Sequence, residues 1–321
     1  MSLKEKLMQA RAKTVVGKIE TPQKKLFRKT NYSKMQLPKK LFGSLWAQNE
    51  LAILFAEDGA GKSILSVQCG CAIASGQSVH HLFPVEVDAQ PVAYIDAELS
   101  DYQFYNRYPN PLPNNFNRFA FDEASALSGA TIEYVIEQVE AAANECNSKI
   151  IILDNLSALC SMADLTKTSD SIQLMGLLNE LKKKGFSLLV IDHPRKPMRE
   201  GDFKIISKHD LQGSKMKSNL ADSVFTIGKS IQNERLRYIK GLKVRSFDSA
   251  FTTKGVATME LNVNPLRLDY VGINYEFEHV NERKAEVQKL AAEGVTQTKI
   301  AEKMGVSQQA VSKMLNDEVP F

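Results

Sequence analysis

Residues 51–68 read LAILFAEDGAGKSILSVQ, and this stretch decides the fold. Its first five residues are apolar and predict a buried β-strand, whereas its last five have the composition of a helix. Between them lies a glycine-rich loop that ends in Gly-Lys-Ser. A strand, such a loop and a helix in that order predict a phosphate-binding loop, because backbone N–H groups and the helix N-terminus then face the phosphate.

Each part of this loop has a predicted role in binding ATP and Mg²⁺. Lys62 reaches the β- and γ-phosphates, and the Ser63 hydroxyl binds Mg²⁺. Ala56 stands where the usual pattern has glycine, and its small side chain fits if φ stays negative there. We expect the following residues to line the nucleotide site: Glu57, Asp58, Gly59, Ala60, Gly61, Lys62, Ser63 and Ile64.

Two further apolar stretches end in carboxylates. Residues 150–154 read IIILD, and a strand-end aspartate about a hundred residues after a phosphate-binding loop predicts a second Mg²⁺ ligand, Asp154. A buried strand that ends in aspartate is also common in other α/β proteins. Residues 91–95 read PVAYI and are followed by Asp96 and Glu98.

The position of Glu98 after its strand resembles a feature of a known protein family. RecA-like ATPases carry a glutamate at the end of the strand that follows the phosphate-binding helix, and residues 91–98 resemble that arrangement. The resemblance implies that Glu98 polarises the water that attacks ATP. Asp96 is the second candidate for this role. The alternative for both residues is a structural role as a strand-end cap.

A third strand end carries a histidine. Residues 188–191 are apolar and lead into DHPRK at 192–196, which resembles the strand-end histidine and lysine of RepA-type plasmid helicases. The resemblance implies that His193 senses the γ-phosphate and relays the nucleotide state into the following loop. A single histidine is more often structural, so the prediction depends on this context.

The loop after His193 is basic and interrupted by glycine, which favours contact with a phosphate backbone. Residues 212–224 also resemble the end of the second DNA-binding loop of the RecA superfamily. The alternative is an ordinary solvated loop. On the functional interpretation, the following residues contact DNA: Arg195, Lys196, Lys215 and Lys217.

Residues 237–245 read RYIKGLKVR. They resemble the strand that presents a lysine and an arginine to the neighbouring subunit's γ-phosphate in ring-shaped RecA-like ATPases. The resemblance implies that Lys243 and Arg245 act in trans, and that the chain forms a homo-oligomer, a hexameric ring through which single-stranded DNA passes. Alternating charge on an exposed strand would give the same pattern.

The order of apolar runs and amphipathic stretches predicts an α/β protein with a mainly parallel sheet. Beyond Ala221 the pattern changes to short strands near 223–227, 235–242 and 258–263, which we expect to extend the sheet antiparallel. We therefore predict a RecA-like ATPase domain over residues 41–275. It follows a basic N-terminal arm, residues 1–40, that has twelve lysines and arginines against two glutamates.

Residues 281–321 predict a small all-α domain of three short helices. Thr296 and Ser307 are natural N-caps, and Gly305 ends the second helix. Residues 300–313, IAEKMGVSQQAVSK, resemble the helix-turn-helix of resolvases and many bacterial regulators, which implies that the last helix enters the major groove of duplex DNA. A protein-docking module is the alternative. On the DNA-binding interpretation, these residues face DNA: Gln308, Gln309, Ser312 and Lys313.

Composition excludes several classes of protein. Of the 321 residues, 43% are hydrophobic, and the apolar runs have the length of strands rather than of a bilayer span, so we expect no membrane partner. The N-terminus lacks the apolar stretch of a secretory signal, which favours a cytoplasmic location. Four cysteines lack the spacing of a disulfide framework or a zinc site.

These features predict an oligomeric DNA-dependent ATPase that couples ATP hydrolysis to DNA translocation or unwinding in plasmid or mobile-element replication. The alternative is an ATP-switched DNA-binding regulator or loader for replication or transposition, without helicase activity. A metabolic P-loop kinase does not account for the C-terminal helices.

Overall fold

A computed structural model describes residues 36–120, 131–159, 168–195, 204–211, 215–248, 250–280 and 282–316. Residues 1–35 of the predicted basic arm, as well as Lys196 in the predicted DNA-contacting loop, lie outside the described residues.

The described part of the chain contains one large sheet in the order β11-β10-β9-β8-β3-β7-β6-β4-β5. The strands from β8 to β5 in this order are parallel to one another. Beyond β8 the sheet continues with antiparallel pairs, β8 with β9, β9 with β10, and β10 with β11. The prediction of an α/β fold with a mainly parallel sheet and an antiparallel extension is therefore confirmed. The nine strands are β3 Leu51–Phe55, β4 Val92–Asp96, β5 Phe116–Ala120, β6 Ile150–Asp154, β7 Ser187–Asp192, β8 Ser223–Lys229, β9 Leu236–Lys243, β10 Val256–Val263 and β11 Leu266–Asn274.

A short hairpin and a set of helices complete the fold. The hairpin pairs β1 Lys40–Phe42 with β2 Trp46–Ala47. The helices are α1 Lys62–Ser75, α2 Asp101–Arg107, α3 Ile132–Glu145, α4 Leu156–Leu159, α5 Thr168–Lys183, α6 Lys215–Leu220, α7 Glu276–Val280, α8 Glu282–Ala292, α9 Gln297–Met304 and α10 Gln308–Asn316.

Helices cover both faces of the parallel strands. Leu65 and Ile73 of α1 pack in the hydrophobic cluster on one face, and Ile136 of α3 and Leu178 of α5 pack in the cluster on the other. Strands β3, β6 and β7 are buried along their whole length. Burial on both faces explains why these strands are continuous apolar runs rather than alternating ones.

The register of the parallel strands brings their carboxyl ends to one edge of the sheet. Phe55 of β3 lies beside Asp192 of β7, and Asp96 of β4 lies beside Asp154 of β6. The loop from β3 into α1 begins at the same edge. The predicted phosphate loop and the three predicted strand-end sites are thus close together because of the sheet topology.

The C-terminal helices α8, α9 and α10 enclose a small hydrophobic cluster of their own, centred on Val287, Ile300 and Val311. Gly305 ends α9 with φ 63°, and the Ser307 hydroxyl accepts a hydrogen bond from the backbone N–H of Ala310 at 3.2 Å. Three short helices form where the sequence predicts them. Their assignment as a separate DNA-binding domain remains a prediction.

Within the described residues, no helix is both long and apolar enough to cross a membrane. The same residues hold no group of histidine, cysteine, aspartate and glutamate side chains that would bind a metal ion on its own.

One close contact in the antiparallel region yields a stability test. A Cβ placed on Gly228 of β8 would lie 2.1 Å from Cζ of Tyr238. Tyr238 is the residue paired with Gly228 on the neighbouring strand β9. We predict that Gly228→Ala lowers the free energy of unfolding by about 1–3 kcal/mol, because a buried aromatic ring must move. Urea denaturation measures this change.

Gly176→Ala is the matched control. Gly176 lies in α5, and a Cβ there would meet no atom within 4 Å. Alanine should leave stability unchanged or raise it by up to about 1 kcal/mol, since it favours the helix. Equal stability of the two variants would contradict the packing described for β8 and β9.

Candidate nucleotide site

The glycine-rich loop has the conformation of a phosphate cradle. Gly59 and Gly61 adopt φ values of 70° and 107°, which residues other than glycine rarely adopt. Lys62 is buried, and its Nζ donates to the carbonyl oxygens of Ala56 and Glu57 at 2.6 and 3.1 Å. Among the described non-glycine residues, positive φ occurs only at Asn49 and Asn147, so Ala56 has the negative φ that its side chain requires.

Arg237 of β9 binds the glycine-rich loop through two carbonyl groups. Its Nε donates to the Ala60 carbonyl at 3.1 Å, and a terminal nitrogen lies 3.4 Å from the Gly59 carbonyl oxygen. Burial lowers the pKa of this guanidinium from its ordinary value. The Arg237 guanidinium therefore holds the glycine-rich loop by two of its carbonyl groups.

Asp154 is buried at the end of β6 and is suited to binding a hard cation. The Tyr94 hydroxyl donates to its Oδ2 at 2.5 Å, but Oδ1 is buried and accepts no hydrogen bond from the described residues. Burial raises the pKa of Asp154 to about 6, an effect opposed by the hydroxyl groups of Tyr94 and Ser63. A free carboxylate oxygen beside the Ser63 hydroxyl forms the oxygen donor set that Mg²⁺ prefers.

A single amide joins the predicted base to the predicted sensor. Asn155 Nδ2 donates to Oε1 of Glu98 and lies 3.1 Å from Nε2 of His193. The other ring nitrogen of His193, Nδ1, lies 3.3 Å from Oδ1 of Asp58. The same Asp58 oxygen is 3.4 Å from Nζ of Lys62. The structure thus brings the predicted residues Lys62, Glu98 and His193 into one polar network.

Asp96, the second candidate for the base, has structural partners instead. Its Oδ1 accepts the backbone N–H groups of Glu98 and Leu99 at 3.1 and 3.0 Å, and its Oδ2 accepts from Nε of Arg118 at 2.9 Å. These bonds hold the turn that presents Glu98. The geometry therefore favours Glu98 as the group that faces a water molecule.

The structure contradicts the prediction that Lys217 contacts DNA. Its side chain is 2% exposed, and its Nζ donates to Oδ2 of Asp192 at 2.6 Å. Asp192 in turn accepts the backbone N–H of His193 at 2.9 Å. Sequence charge alone suggested a surface role, but α6 packs against α5 and Lys217 is buried there. A buried ammonium needs an ionic partner, which Asp192 supplies.

The other predicted loop contacts are only partly described. Arg195 is exposed, and its backbone N–H donates to the carbonyl of Asp210. Lys196 and the side chain of Lys215 lie outside the described residues. In the described segment 204–211, Lys204 pairs with Asp210 at 2.5 Å, and Lys208 is exposed.

Lys243 and Arg245 lie far from the phosphate loop of their own chain. Lys243 pairs with Val224 at the start of β8, whereas the carboxyl end of β8 lies beside the phosphate loop, about 17 Å further along the strand. Lys243 Nζ donates to the carbonyls of Ser218 and Ala221 at 2.7 and 2.6 Å. Arg245 donates to the Asn219 carbonyl at 2.7 Å.

The predicted DNA-facing side chains of α10 share one side of the helix. Gln308, Gln309 and Lys313 are exposed, Ser312 is partly buried, and Val311 packs inward. This arrangement agrees with the orientation expected from the sequence. Nothing among these contacts identifies a ligand for the helix.

A groove of about 550 Å³ runs beside α1. Its lining includes Val67 and Cys71 of α1, Tyr108 after α2, and Pro265 in the turn of the β10–β11 hairpin. Gln68 exchanges two hydrogen bonds with the backbone of Leu268, at 2.9 and 3.0 Å, and so fixes this hairpin to α1.

The sheet order, the phosphate loop and the strand-end carboxylates define a P-loop ATPase with a RecA-like core. A family described as an AAA domain matches residues 23–199, more than half of the chain, so the chain belongs to this family. A KaiC-like protein from the hyperthermophilic archaeon Pyrococcus horikoshii OT3 has a similar fold, with a TM-score of 0.50 and 11% sequence identity over 73% of this chain and 98% of that one. Curated proteins gave no significant match.

Three residues of the site were missed at the level of sequence. Asn155 carried a signal, because it directly follows Asp154 at the carboxyl end of a strand. Tyr94 lies two positions before Asp96 in β4. Residues two apart lie on the same face of a strand, so this placement was predictable once the strand was known. The contact of Arg237 with the glycine-rich loop could not be predicted, since the sequence of an antiparallel strand does not indicate which loop its side chains contact.

The buried pair of Asp192 and Lys217 generates a stability prediction. Lys217→Met leaves the Asp192 carboxylate buried without its cation, and we expect a loss of about 3–5 kcal/mol in the free energy of unfolding. Lys208→Met, an exposed lysine of the same region, should change stability by less than about 0.5 kcal/mol. Urea denaturation of both variants measures the difference. Unchanged stability of Lys217→Met together with weaker DNA binding would restore the original DNA-contact prediction.

Proposed function

We propose that this P-loop ATPase is an oligomeric, DNA-dependent ATPase that couples ATP hydrolysis to DNA translocation or unwinding in plasmid or mobile-element replication. The observation that carries the proposal is the polar network from Lys62 through His193 to Glu98, which lies where β7 leads into the basic loop. A site that detects the terminal phosphate at the base of a loop has the means to report it to a ligand of that loop.

The nucleotide chemistry follows from the residues at the sheet edge. The N–H groups of the phosphate loop and Lys62 bind the phosphates, and Ser63 with Asp154 holds the Mg²⁺ that neutralises phosphate charge when bound. Glu98 orients the attacking water and takes its proton. The groove beside α1 has room for the nucleotide base, and its lining combines apolar side chains with asparagine, glutamine and arginine.

Assembly would complete the site. Lys243 and Arg245 are too far from the phosphate loop of their own chain to reach it, which favours action on the γ-phosphate of a neighbouring subunit. Both cations are held by carbonyl groups at the end of α6 in the single chain, so a trans contact requires that they exchange these bonds. A closed ring, hexameric in the RepA-type proteins that the sequence resembles, satisfies this geometry.

DNA would contact two surfaces. The loop after β7, with Arg195, faces a single strand inside the ring, and α10 reads duplex DNA through Gln308, Gln309, Ser312 and Lys313. Glutamine is able to pair with adenine through two hydrogen bonds, and lysine contacts phosphate. The exposure of Gln308, Gln309 and Lys313 on α10 supports the second contact.

One observation favours the alternative, an ATP-switched DNA-binding regulator or loader without helicase activity. Burial of Lys217 removes one of the four cations predicted to line a DNA channel, whereas the residues predicted for duplex binding keep their exposed side of α10. In that case ATP would control assembly rather than drive movement.

The first prediction of the proposal concerns turnover. Lys62→Ala should abolish measurable ATP hydrolysis, and Glu98→Gln should lower kcat about 10²–10⁴-fold while ATP binding is retained, because Glu98 contacts water rather than phosphate. Steady-state phosphate release and titration with a fluorescent ATP analogue measure the two quantities. Glu180→Gln, an exposed carboxylate of α5, is the control. Full turnover by Lys62→Ala would refute the nucleotide site.

The second prediction separates the two candidate functions. If the chain is a motor, single-stranded DNA stimulates ATP hydrolysis several-fold and Gln308→Ala/Gln309→Ala leaves this stimulation intact. If it is a regulator, duplex DNA binds tightly without stimulation by single strands, and the double substitution weakens binding by about 1–3 kcal/mol per lost base contact. Fluorescence anisotropy at fixed salt, beside the ATPase assay, distinguishes the outcomes.

A further inference from the structure

Asn155 has a fixed orientation between the two predicted functional side chains. Its Oδ1 accepts the backbone N–H of Ala158 at 2.8 Å. Because a backbone N–H only donates, this bond identifies the oxygen of the amide and turns its NH₂ group toward Glu98 and His193. Each of the two amide hydrogens then has one acceptor, Oε1 of Glu98 and Nε2 of His193.

The amide also determines where the histidine carries its proton. Nε2 of His193 accepts from Asn155, so the ring is neutral and its hydrogen is on Nδ1. That nitrogen lies 3.3 Å from Oδ1 of Asp58. The chain of donors therefore runs from Ala158 through Asn155 to both Glu98 and His193, and from His193 to Asp58.

Asp58 supplies an anionic oxygen to Lys62 and His193, the two groups predicted to contact the terminal phosphate. Its Oδ1 is an anionic oxygen within 3.4 Å of Lys62 Nζ and 3.3 Å of His193 Nδ1, although its side chain is 88% exposed. An exposed carboxylate holds such partners weakly. A terminal phosphate that binds Lys62 would displace it from both partners.

We propose that Asn155 is a positioning residue that couples the terminal phosphate to Glu98 through His193. When the phosphate replaces Asp58 at Nδ1, the ring stays bonded to Asn155 through Nε2, and the same amide holds the carboxylate of Glu98. The position of the phosphate then determines where Glu98 can orient water. This inference rests on the proposed ATP hydrolysis, and it adds a residue that neither contacts phosphate nor exchanges protons.

Asn155→Asp tests the coupling with little change in shape. The aspartate keeps an oxygen for Ala158 and loses both donors. We expect kcat to fall at least about tenfold, with KM for ATP within about threefold of the wild type, because Lys62 and Ser63 still bind the nucleotide. Asn179→Asp is the matched control, since the Asn179 amide donates to the Met175 carbonyl in α5 at 2.8 Å.

A double-mutant cycle tests whether Asn155 acts through the histidine. The kcat of Asn155→Ala/His193→Ala should equal that of the slower single variant within about threefold. Independent residues would instead give the product of the two losses. Unchanged kcat in Asn155→Asp, or multiplied losses in the cycle, would overturn the inference while leaving ATP hydrolysis itself established.

A second readout does not depend on turnover. Long-range ¹H–¹⁵N NMR of the nucleotide-free protein should show the Nδ1–H form of the His193 ring, identified by its loss in His193→Gln. Asn155→Ala should abolish this preference, whereas Asn179→Ala should retain it. If the wild type shows no Lys62-dependent hydrolysis, the proposed function fails, and the NMR result still decides whether Asn155 controls His193. An unaltered His193 ring in Asn155→Ala would contradict the proposal.

Discussion

The backbone hydrogen bonds among β3, β7, β6 and β4 hold the carboxyl ends of these strands at one edge of the sheet. They place Phe55 beside Asp192 and Asp96 beside Asp154. Since side chains alternate between faces, a slip of one residue would turn Asp154 away from α1 and Ser63. Every distance in the nucleotide site thus depends on this register. Helices on both faces secure the register by burying the apolar side chains of these strands.

A second buried contact joins the segment around Ile206 and strand β9 to the start of α7. Glu276 at the start of α7 is fully buried and accepts from Lys240 of β9 and from the backbone N–H of Ile206 at 2.9 Å. Lys240 also donates to the Ile206 carbonyl. Breaking such a pair is costly because one charge would remain buried alone. The Glu276 carboxylate therefore fixes both the segment around Ile206 and strand β9 to the start of α7, and α8–α10 follow in the chain.

Much of the fold could be predicted from sequence because its signals are local. The phosphate loop, the apolar run of β6 and the glycine at 305 each reflect one strand, loop or helix end. Contacts between distant parts of the chain were not predictable in this way. Lys217 resembled a surface cation because its partner Asp192 lies 25 positions away, and the role of Asn155 depends on the meeting of three strand ends. Side-chain partners of this kind follow from topology, which a single sequence only outlines.

A crystal structure with Mg²⁺ and a non-hydrolysable ATP analogue would test the proposed nucleotide site most directly. We expect a γ-phosphate oxygen between Lys62 Nζ and His193 in place of the Asp58 carboxylate, Mg²⁺ bound to Ser63 near Asp154, and Asn155 still bonded to Glu98. Phosphates bound away from Lys62, or a γ-phosphate that leaves the contact between His193 and Asp58 intact, would contradict this expectation.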